Sequence, residues 1–395
     1  SSGRLPGRAG RMKFLHSGDW HLGKNLRALS RRDECEEALN EVLEIARREA
    51  VDCLLVAGDV FDTTTPSPEA EALLFDFLRE LFGAGIPAVI IGGNHDHPKR
   101  LAAVSRVLEL LNVHLRAEAV VPESGGLVRV QSRDGSEAAT IAVLPWVHER
   151  DVVRWESLLG RESHQEYADE VAQMAAHLTG AFPRDTENVL LAHLMVDGAQ
   201  VGGGERELHL GAVYAVKPQA LPGNANYIAL GHVHRPQAIA APSPARYAGS
   251  LLQLDFGERG QEKSVVLIEA HPGRPAHVET VPLSAGRRLR DLEGTLAELQ
   301  ALAADAGDDY LRVRVHIDGP SPGLTRQVRE LLPNALEVVP VYPDRERTES
   351  DQRLRTLSPD QLLAEYHQAT YGSAVPAPVL DLFRRLQEEV DRATP

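Results

Sequence analysis

Residues 53–62 read Cys53-Leu-Leu-Val-Ala-Gly-Asp-Val-Phe-Asp62, a continuous apolar run that ends on a glycine and two carboxylates. An unbroken apolar run of this length predicts a strand buried on both faces, as in a parallel sheet covered by helices. In such a sheet the loops at the carboxyl ends of the strands carry the ligand site, and Asp59 and Asp62 stand at that end. Residues 13–17 and 88–91 repeat the apolar run. Helical stretches near 33–50, 68–82 and 99–111, with apolar residues three and four apart, fall between or after them. The alternation predicts strand-helix-strand units and an α/β fold class. Shorter strands follow around 139–144 and 189–193, separated by a helical stretch near 164–178. From 227 to 281 the segments are brief and punctuated by Gly and Pro, with strands at 228–230, 245–248 and 264–269, which predicts an antiparallel second half of the sheet. The economical reading is a two-layered or sandwiched core over residues 12–283.

Past residue 286 the pattern restarts as helix 292–304, strand 310–317, helix 324–332 and strand 335–341, a small α/β domain over residues 284–341. Residues 342–357 are highly charged and have no periodic apolar face, so they read as a linker. Residues 358–395 hold two amphipathic helices. Ser358-Pro359 supplies an N-cap and a first-turn proline, and Val379, Leu380, Phe383, Leu386 and Val390 form one stripe. Residues 1–11 carry Arg without an apolar segment, so they read as a leader or an expression remnant rather than a secretory signal.

Composition limits the function classes. Of 395 residues, 43% are apolar and 25% charged, enough for a sizeable core and unlike a disordered chain. No apolar run approaches the roughly 18 residues of a membrane span. The two cysteines, Cys35 and Cys53, lack zinc-site spacing and read as structural residues in a reducing cytoplasm. With 42 Lys+Arg against 57 Asp+Glu, the formal charge of −15 argues against a stand-alone nucleic-acid binder.

Five clusters place metal-ligating residue types just past apolar runs: Asp19-Trp20-His21, Gly58-Asp59-Val60-Phe61-Asp62, Gly93-Asn94-His95-Asp96, Ala192-His193 and Gly231-His232-Val233-His234. Each is weak alone; the ordered set is not. Mixed oxygen and nitrogen donors without thiolates suit Mn²⁺, Fe²⁺ or Zn²⁺. A central carboxylate such as Asp59 suits a bridge between two ions about 3.5–4 Å apart, the arrangement of two-metal phosphoesterases.

The ordered set resembles the calcineurin-like metallophosphoesterases and, within them, the SbcD family of bacterial nuclease subunits. The narrower resemblance lies in His16-Ser-Gly-Asp-Trp-His-Leu-Gly23, in Gly58-Asp-Val-Phe-Asp62, and in Gly92-Gly-Asn-His-Asp96 followed by Pro98 and Arg100. Gly249-Ser250, leading to Phe256-Gly257-Glu258 and Lys263, completes it. The resemblance implies a layered α/β/β/α core, a small α/β capping domain that contacts DNA, and C-terminal helices that dock a coiled-coil ATPase of the SbcC type. It implies that Asp19, His21, Asp59 and His234 hold one ion, most often Mn²⁺, and that Asp59, Asn94, His193 and His232 hold the second. His95 would stay off the metals and assist the leaving 3′ oxygen, and Asp62 and Asp96 would orient the imidazoles. The family acts as a 3′→5′ exonuclease on duplex ends and an endonuclease on single strands or hairpins, in DNA repair, recombination and replication. It also forms a homodimer through a four-helix bundle. Two departures stand out: Gly18 replaces a small hydroxyl residue, and His97 follows the third motif, either facing solvent or touching phosphate.

The basic residues Lys24, Arg27, Arg31 and Arg32, with His97 and Arg100, are the candidate DNA contacts. The stripe Leu73, Leu74, Phe77, Leu78 and Leu81, and the stripe Leu101, Val104, Val107, Leu108 and Leu111, suit either core packing or a dimer. The tail helices either dock a partner or fold back on the core. Two other functions remain open at this point: a small-molecule or cyclic-nucleotide phosphodiesterase, and a non-catalytic DNA-end tether. The net charge excludes none of them, because two divalent ions outweigh the two ligand carboxylates where phosphate docks.

Overall fold

The computed structural model describes residues 11–148, 151–152, 166–203, 205, 212–343 and 357–393. Most of residues 1–11, the start of the 164–178 helix and most of the 342–357 linker lie outside these. The chain divides into two compact units, Ser1–Arg314 with Gly323–Val339, and Val315–Pro322 with Pro340–Pro395.

Two six-stranded sheets form the core of the first unit. One runs in the order Arg274–Pro282, Ser264–His271, Met12–Ser17, Cys53–Val56, Ala88–Ile91, Val113–Arg116. Its last four strands are parallel, and the Ser264–His271 strand closes antiparallel on Met12–Ser17. The other runs Gln237–Ile239, Ala245–Tyr247, Tyr227–Gly231, Glu187–His193, Ala138–Leu144, Leu127–Gln131.

Alternate residues of each buried strand enter different layers. Leu54 and Val56 face Leu39, Val42, Leu74 and Leu78 of the helices Arg32–Arg48 and Pro68–Gly83. Leu55 and Val89 point the other way, into an inter-sheet layer with Ile141, Leu191 and Ala229. Leu190 and Leu230 complete the far side against Val171, Met174 and Leu178 of the helix Tyr167–Gly180. The order of layers is α/β/β/α. Truncating a residue such as Leu55 in the buried middle layer would cost about 2–5 kcal/mol.

Two expectations need correction. The second half is not antiparallel: Tyr227–Gly231 pairs parallel with Glu187–His193 and with Ala245–Tyr247, and Ala138–Leu144 pairs parallel with Glu187–His193. Among the described residues antiparallel pairing in that sheet occurs only at its edges, and the Ser264–Pro282 hairpin joins the other sheet. The segment past residue 286 opens with a strand, Leu289–Gly294, and not a helix; its first helix begins at Leu296 behind a Thr295–Glu298 capping box. Its three-stranded sheet runs Leu289–Gly294, Tyr310–His316, Ala335–Val341. The two leucine-rich stripes face mostly inward, which agrees with their core-packing reading. Leu73, Leu74, Phe77, Leu78, Leu81, Leu101 and Leu108 are buried, whereas Phe75, Phe82, Val107 and Leu110 are exposed on the same segments.

In the second unit, Ser358 caps the helix Pro359–Tyr371 through a reciprocal box with Gln361, and Gly372 ends it in the left-handed region. Arg384 of the following helix, Ala377–Ala393, pairs with Asp360 at 2.7 Å. Leu362, Tyr366, Val379, Leu382 and Leu386 are exposed; the side chain of Val390 lies outside the described residues. Among the described residues no helix is long and apolar enough to cross a membrane.

Candidate metal centre

The five clusters meet where the two sheets present their carboxyl ends side by side. The loops after Met12–Ser17 and Cys53–Val56 continue the parallel pairing: Asp19 N donates to Gly58 O, His21 N to Asp59 O and Leu22 N to Val60 O, each at 3.0 Å. Four of the candidate ligands have backbones with positive φ: Asp19 at 49°, His21 at 47°, Asp59 at 47° and His232 at 104°. Side-chain-bearing residues hold such conformations only when the surroundings enforce them, and they gather at functional sites. Gly231 permits the close approach of the two sheets, since a Cβ there would collide with Ala57 O.

Asp59 is the meeting point. Its Oδ1 accepts from His95 N at 2.8 Å. Its Oδ2 lies 3.6 Å from His21 Nε2 and 3.5 Å from His193 Nε2. On one side His21 Nε2 is 3.0 Å from His234 Nε2. On the other, Asn94 Oδ1 is 3.0 Å from His193 Nε2 and 2.9 Å from His232 Nδ1. Both oxygens of Asp19 are held by His232 N, at 2.9 and 3.2 Å. All eight of these residues are buried. Two ligand groupings emerge from the spacing alone, His21–Asp59–His95 and Asp19–Asp59–His193, both sharing Asp59. They place Asp19 nearer His193, and His95 nearer His21, than the implied partition does.

The donors fit divalent ions. His193 Nδ1 lies 2.7 Å from the carbonyl oxygen of Ala57, which can only accept, so Nδ1 carries the proton. Burial lowers the pKa of this ring against the pull of Asp59, so it stays neutral and its Nε2 presents a lone pair. That lone pair faces Asn94 Oδ1 and Asp59 Oδ2. Three atoms with lone pairs converging in a buried site suit a bound cation. Burial likewise lowers the pKa of His21. Burial also pushes Asp19 up to about 8, with His234 opposing and Asp59 adding to the rise. Asp59 itself sits well below the usual carboxylate range: burial opposes this, but His193, His21 and His95 surround it with imidazoles.

Asp62 lies against both imidazoles, its carboxylate 3.3 Å from His21 Nδ1 and its carbonyl 2.7 Å from His95 Nδ1. Asp96 does not, which corrects the expectation. Its carboxylate accepts from Val60 N, Phe61 N and Gly93 N at 2.9–3.1 Å, lashing the second motif to the third. Burial and repulsion from Asp59 push it up to about 7 against those donors.

The basic candidates are largely committed elsewhere. Arg31 is buried; its guanidinium holds Glu34 at 2.8 and 2.9 Å and the Gln253 carbonyl, while Tyr310 OH donates to the same Glu34 at 3.1 Å. This corrects its reading as a DNA contact. Arg27 pairs with Glu337, Arg32 with Glu36, Arg100 with Glu71, and Lys24 with Asp62. His97 is exposed at the N-cap of the helix Pro98–Leu108.

Three neighbours of the ligands escaped sequence reasoning. Trp146 stacks on His232 with centroids 5.1 Å apart and meets His193 edge-on at 6.1 Å. Glu205 accepts from His234 N at 3.0 Å, and its signal was the glycine run Gly202-Gly203-Gly204 just before it. Glu258, which carried part of the family resemblance but no chemical role, accepts from His234 Nδ1 at 2.9 Å.

Two sheets delivering Asp, Asn and His ligands to a shared carboxylate define a metallophosphoesterase. A model of the calcineurin-like phosphoesterase family matches residues 12–236, and one described as a type 5 capsule protein repressor C-terminal domain matches residues 285–371. The SbcD subunit of the nuclease SbcCD from Bacillus subtilis (strain 168) is 32% identical over 396 residues, covering 96% of this chain and 99% of that protein. Its counterpart in Escherichia coli (strain K12) is 31% identical, covering 89% and 88%. The Rhodobacter capsulatus one is 32% identical, covering 84% and 85%. The chain belongs to the calcineurin-like phosphoesterases and, within them, to the SbcD family of nuclease subunits.

Proposed function

We propose that this chain is the nuclease subunit of an SbcCD-type complex, cutting DNA phosphodiester bonds with two divalent ions. The carrying observation is Asp59 Oδ2, shared between the imidazoles of His21 and His193 in a buried set of seven donors with His95 beside it. Asp19, His21, Asp59 and His234 would hold one ion, and Asp59, Asn94, His193 and His232 the other. Bound there, the ions supply an activated water and neutralise phosphate charge. The chain's own residues supply the rest. Asp62 O fixes the proton of His95 on Nδ1, so Nε2 is the atom that, when protonated, hands a proton to the leaving 3′ oxygen. The Asp62 carboxylate also lies 3.3 Å from Nδ1 of His21, on the side of that ring away from the Nε2 that would meet an ion. Lys24 beside Asp62, and His97 beside the third motif, are the phosphate contacts this reading retains.

Mn²⁺ is the proposed metal, on the hard oxygen and imidazole donors and the absence of thiolate among them. The cleavage modes are 3′→5′ exonuclease on duplex ends and endonuclease on hairpins. The SbcC-type ATPase would dock on the exposed apolar residues of 358–395. A homodimer would form through Phe75, Phe82, Val107 and Leu110, which are exposed on two adjacent helical segments. The free, buried thiols of Cys35 and Cys53 suit the cytoplasm. Residues 284–341 are the capping domain.

Labelled hairpin and blunt-ended DNA, incubated with Mn²⁺ beside bis-p-nitrophenyl phosphate and cyclic nucleotides, tests the reading. It expects chelator-sensitive cleavage of DNA. Turnover of the small esters without DNA cleavage would instead make it a small-molecule phosphodiesterase, and DNA binding without any cleavage a tether.

A further inference from the structure

The segment Gly249–Lys263 supplies no group to the cleavage chemistry, yet it encloses one metal-ligand candidate from behind. Glu258 is fully buried, and its Oε1 accepts from His234 Nδ1 at 2.9 Å. Its Oε2 accepts from Lys263 Nζ at 2.7 Å, Leu254 N at 3.1 Å and Ser250 Oγ at 3.3 Å. Lys263 Nζ also donates to the His234 carbonyl at 2.9 Å, to Ser250 Oγ at 2.9 Å and to Gln261 Oε1 at 3.1 Å. With Glu205 on its N–H, His234 is held at ring, carbonyl and amide, and its Nε2 faces His21. A buried carboxylate–ammonium pair is a poor stabiliser, because desolvation offsets the attraction. Fold stability therefore does not account for it, whereas the fixed orientation of His234 does, since a carboxylate on the distal nitrogen sets the tautomer and direction of a ligating imidazole.

The same turn also faces the small domain. Asp255 Oδ1 caps the single turn Phe256–Glu258 by accepting from Gly257 N at 2.9 Å. Phe256 packs with Leu26, Leu289 and Tyr310, and the Arg312 guanidinium lies 5.3 Å from its ring centroid. Gln253, a few residues earlier, accepts from Leu289 N at 2.6 Å. Only Gly257 separates the ring embedded among small-domain side chains from the residue whose carboxylate holds His234.

We propose that Glu258 is a positioning residue for His234, and that the Phe256–Glu258 turn makes the grip on His234's ion depend on how residues 289–312 are seated. This rests on the two-ion reading of the site. Calorimetric titration of the full, metal-free chain with Mn²⁺ tests it, alongside the melting temperature of the same metal-free proteins. In Glu258→Gln, binding of one of two ions should weaken about 10–100-fold while the other is unchanged. Glu258→Asp, which keeps the anionic carboxylate that Gln lacks, should recover part of the loss. Phe256→Ala should weaken the same ion in the same sense. The double variant Glu258→Gln/Lys263→Met, which removes both buried charges together, must show the same selective loss and serves where the single variant does not fold. Two ions held as tightly as in wild type, or both weakened equally in step with the metal-free melting temperature, would overturn the proposal. Unchanged binding in Phe256→Ala alone would overturn the coupling to residues 289–312. A wild-type chain that binds fewer than two ions would sink the two-ion reading itself, a result distinct from these.

Discussion

His95 Nδ1 stands 2.7 Å from the backbone carbonyl oxygen of Asp62. A carbonyl cannot donate, so that contact fixes the tautomer and leaves Nε2 as the nitrogen of the proposed proton transfer. Replacing His95 by Asn removes the transferable proton without touching Asp59 Oδ2. Turnover on DNA should fall about 10²–10⁴-fold, while calorimetry still registers two Mn²⁺ per chain. Loss of both ions would show that His95 is a ligand.

Asp59→Asn should strip the centre. Asn tolerates the left-handed conformation that Asp59 adopts at φ 47°, so the fold should persist with an unchanged circular dichroism spectrum. The shared anionic oxygen is gone, however, and metal analysis after dialysis should find neither ion retained at Mn²⁺ levels that saturate wild type.

Glu187, the first residue of its strand, is fully buried with neither carboxylate oxygen hydrogen-bonded among the described residues. Burial, with Glu137 and Asp52 nearby, pushes its pKa up to about 7 from 4.5. Below pH 4.5 the acid is protonated folded or unfolded and costs nothing by ionisation. Between pH 4.5 and 7 the unfolded chain ionises first, so this group makes stability fall as pH rises. Glu187→Gln should therefore raise stability by roughly 1–3 kcal/mol at about pH 8 and change little at about pH 4. Denaturant titrations at both values check this, and an equal effect at both would contradict it.

Arg31→Ala should be a folding variant and not a DNA-binding one. It leaves the half-buried Glu34 without its guanidinium and removes a cation from the Tyr310 ring face, where Arg31 lies 5.6 Å from the centroid. Loss of a partner from such a pair costs about 3 kcal/mol, read as a lower urea midpoint. The salt dependence of DNA binding should be unchanged, whereas losing a phosphate contact would lower its slope by about 1.

Removing residues 358–395 should leave Mn²⁺-dependent cleavage of short hairpins intact and abolish co-purification with the ATPase subunit. Retained co-purification would place the docking surface elsewhere.

The ligand types and their order were legible in the chain because each motif is local: an apolar run, a tight turn, then Asp, Asn or His. So were the helices, as the cap at Ser358 and the spacing of Leu73, Phe77 and Leu81 show. Strand direction was not. Residues 227–231 form the same apolar run whether their neighbours run parallel or antiparallel, and the pairing with residues 187–193 and 245–247 is non-local. The strand Leu289–Gly294 was missed because Leu292, Leu296 and Leu299 share helical spacing, while the capping box at Thr295 starts the helix later.

What the sequence by itself determined was a metal-binding α/β phosphoesterase: residue types at strand ends suffice for that, since strand ends in a sheet converge. Which oxygen is shared, which carboxylate lies against an imidazole and which ties down backbone, and which arginine is buried were decided only by tertiary structure. Asp62 and Asp96 have the same chemistry, but one faces His21 and the other three backbone N–H groups. Glu258 reaches His234 across 24 residues of chain. Such roles depend on distances of a few ångströms between segments remote in sequence, and no local pattern encodes those.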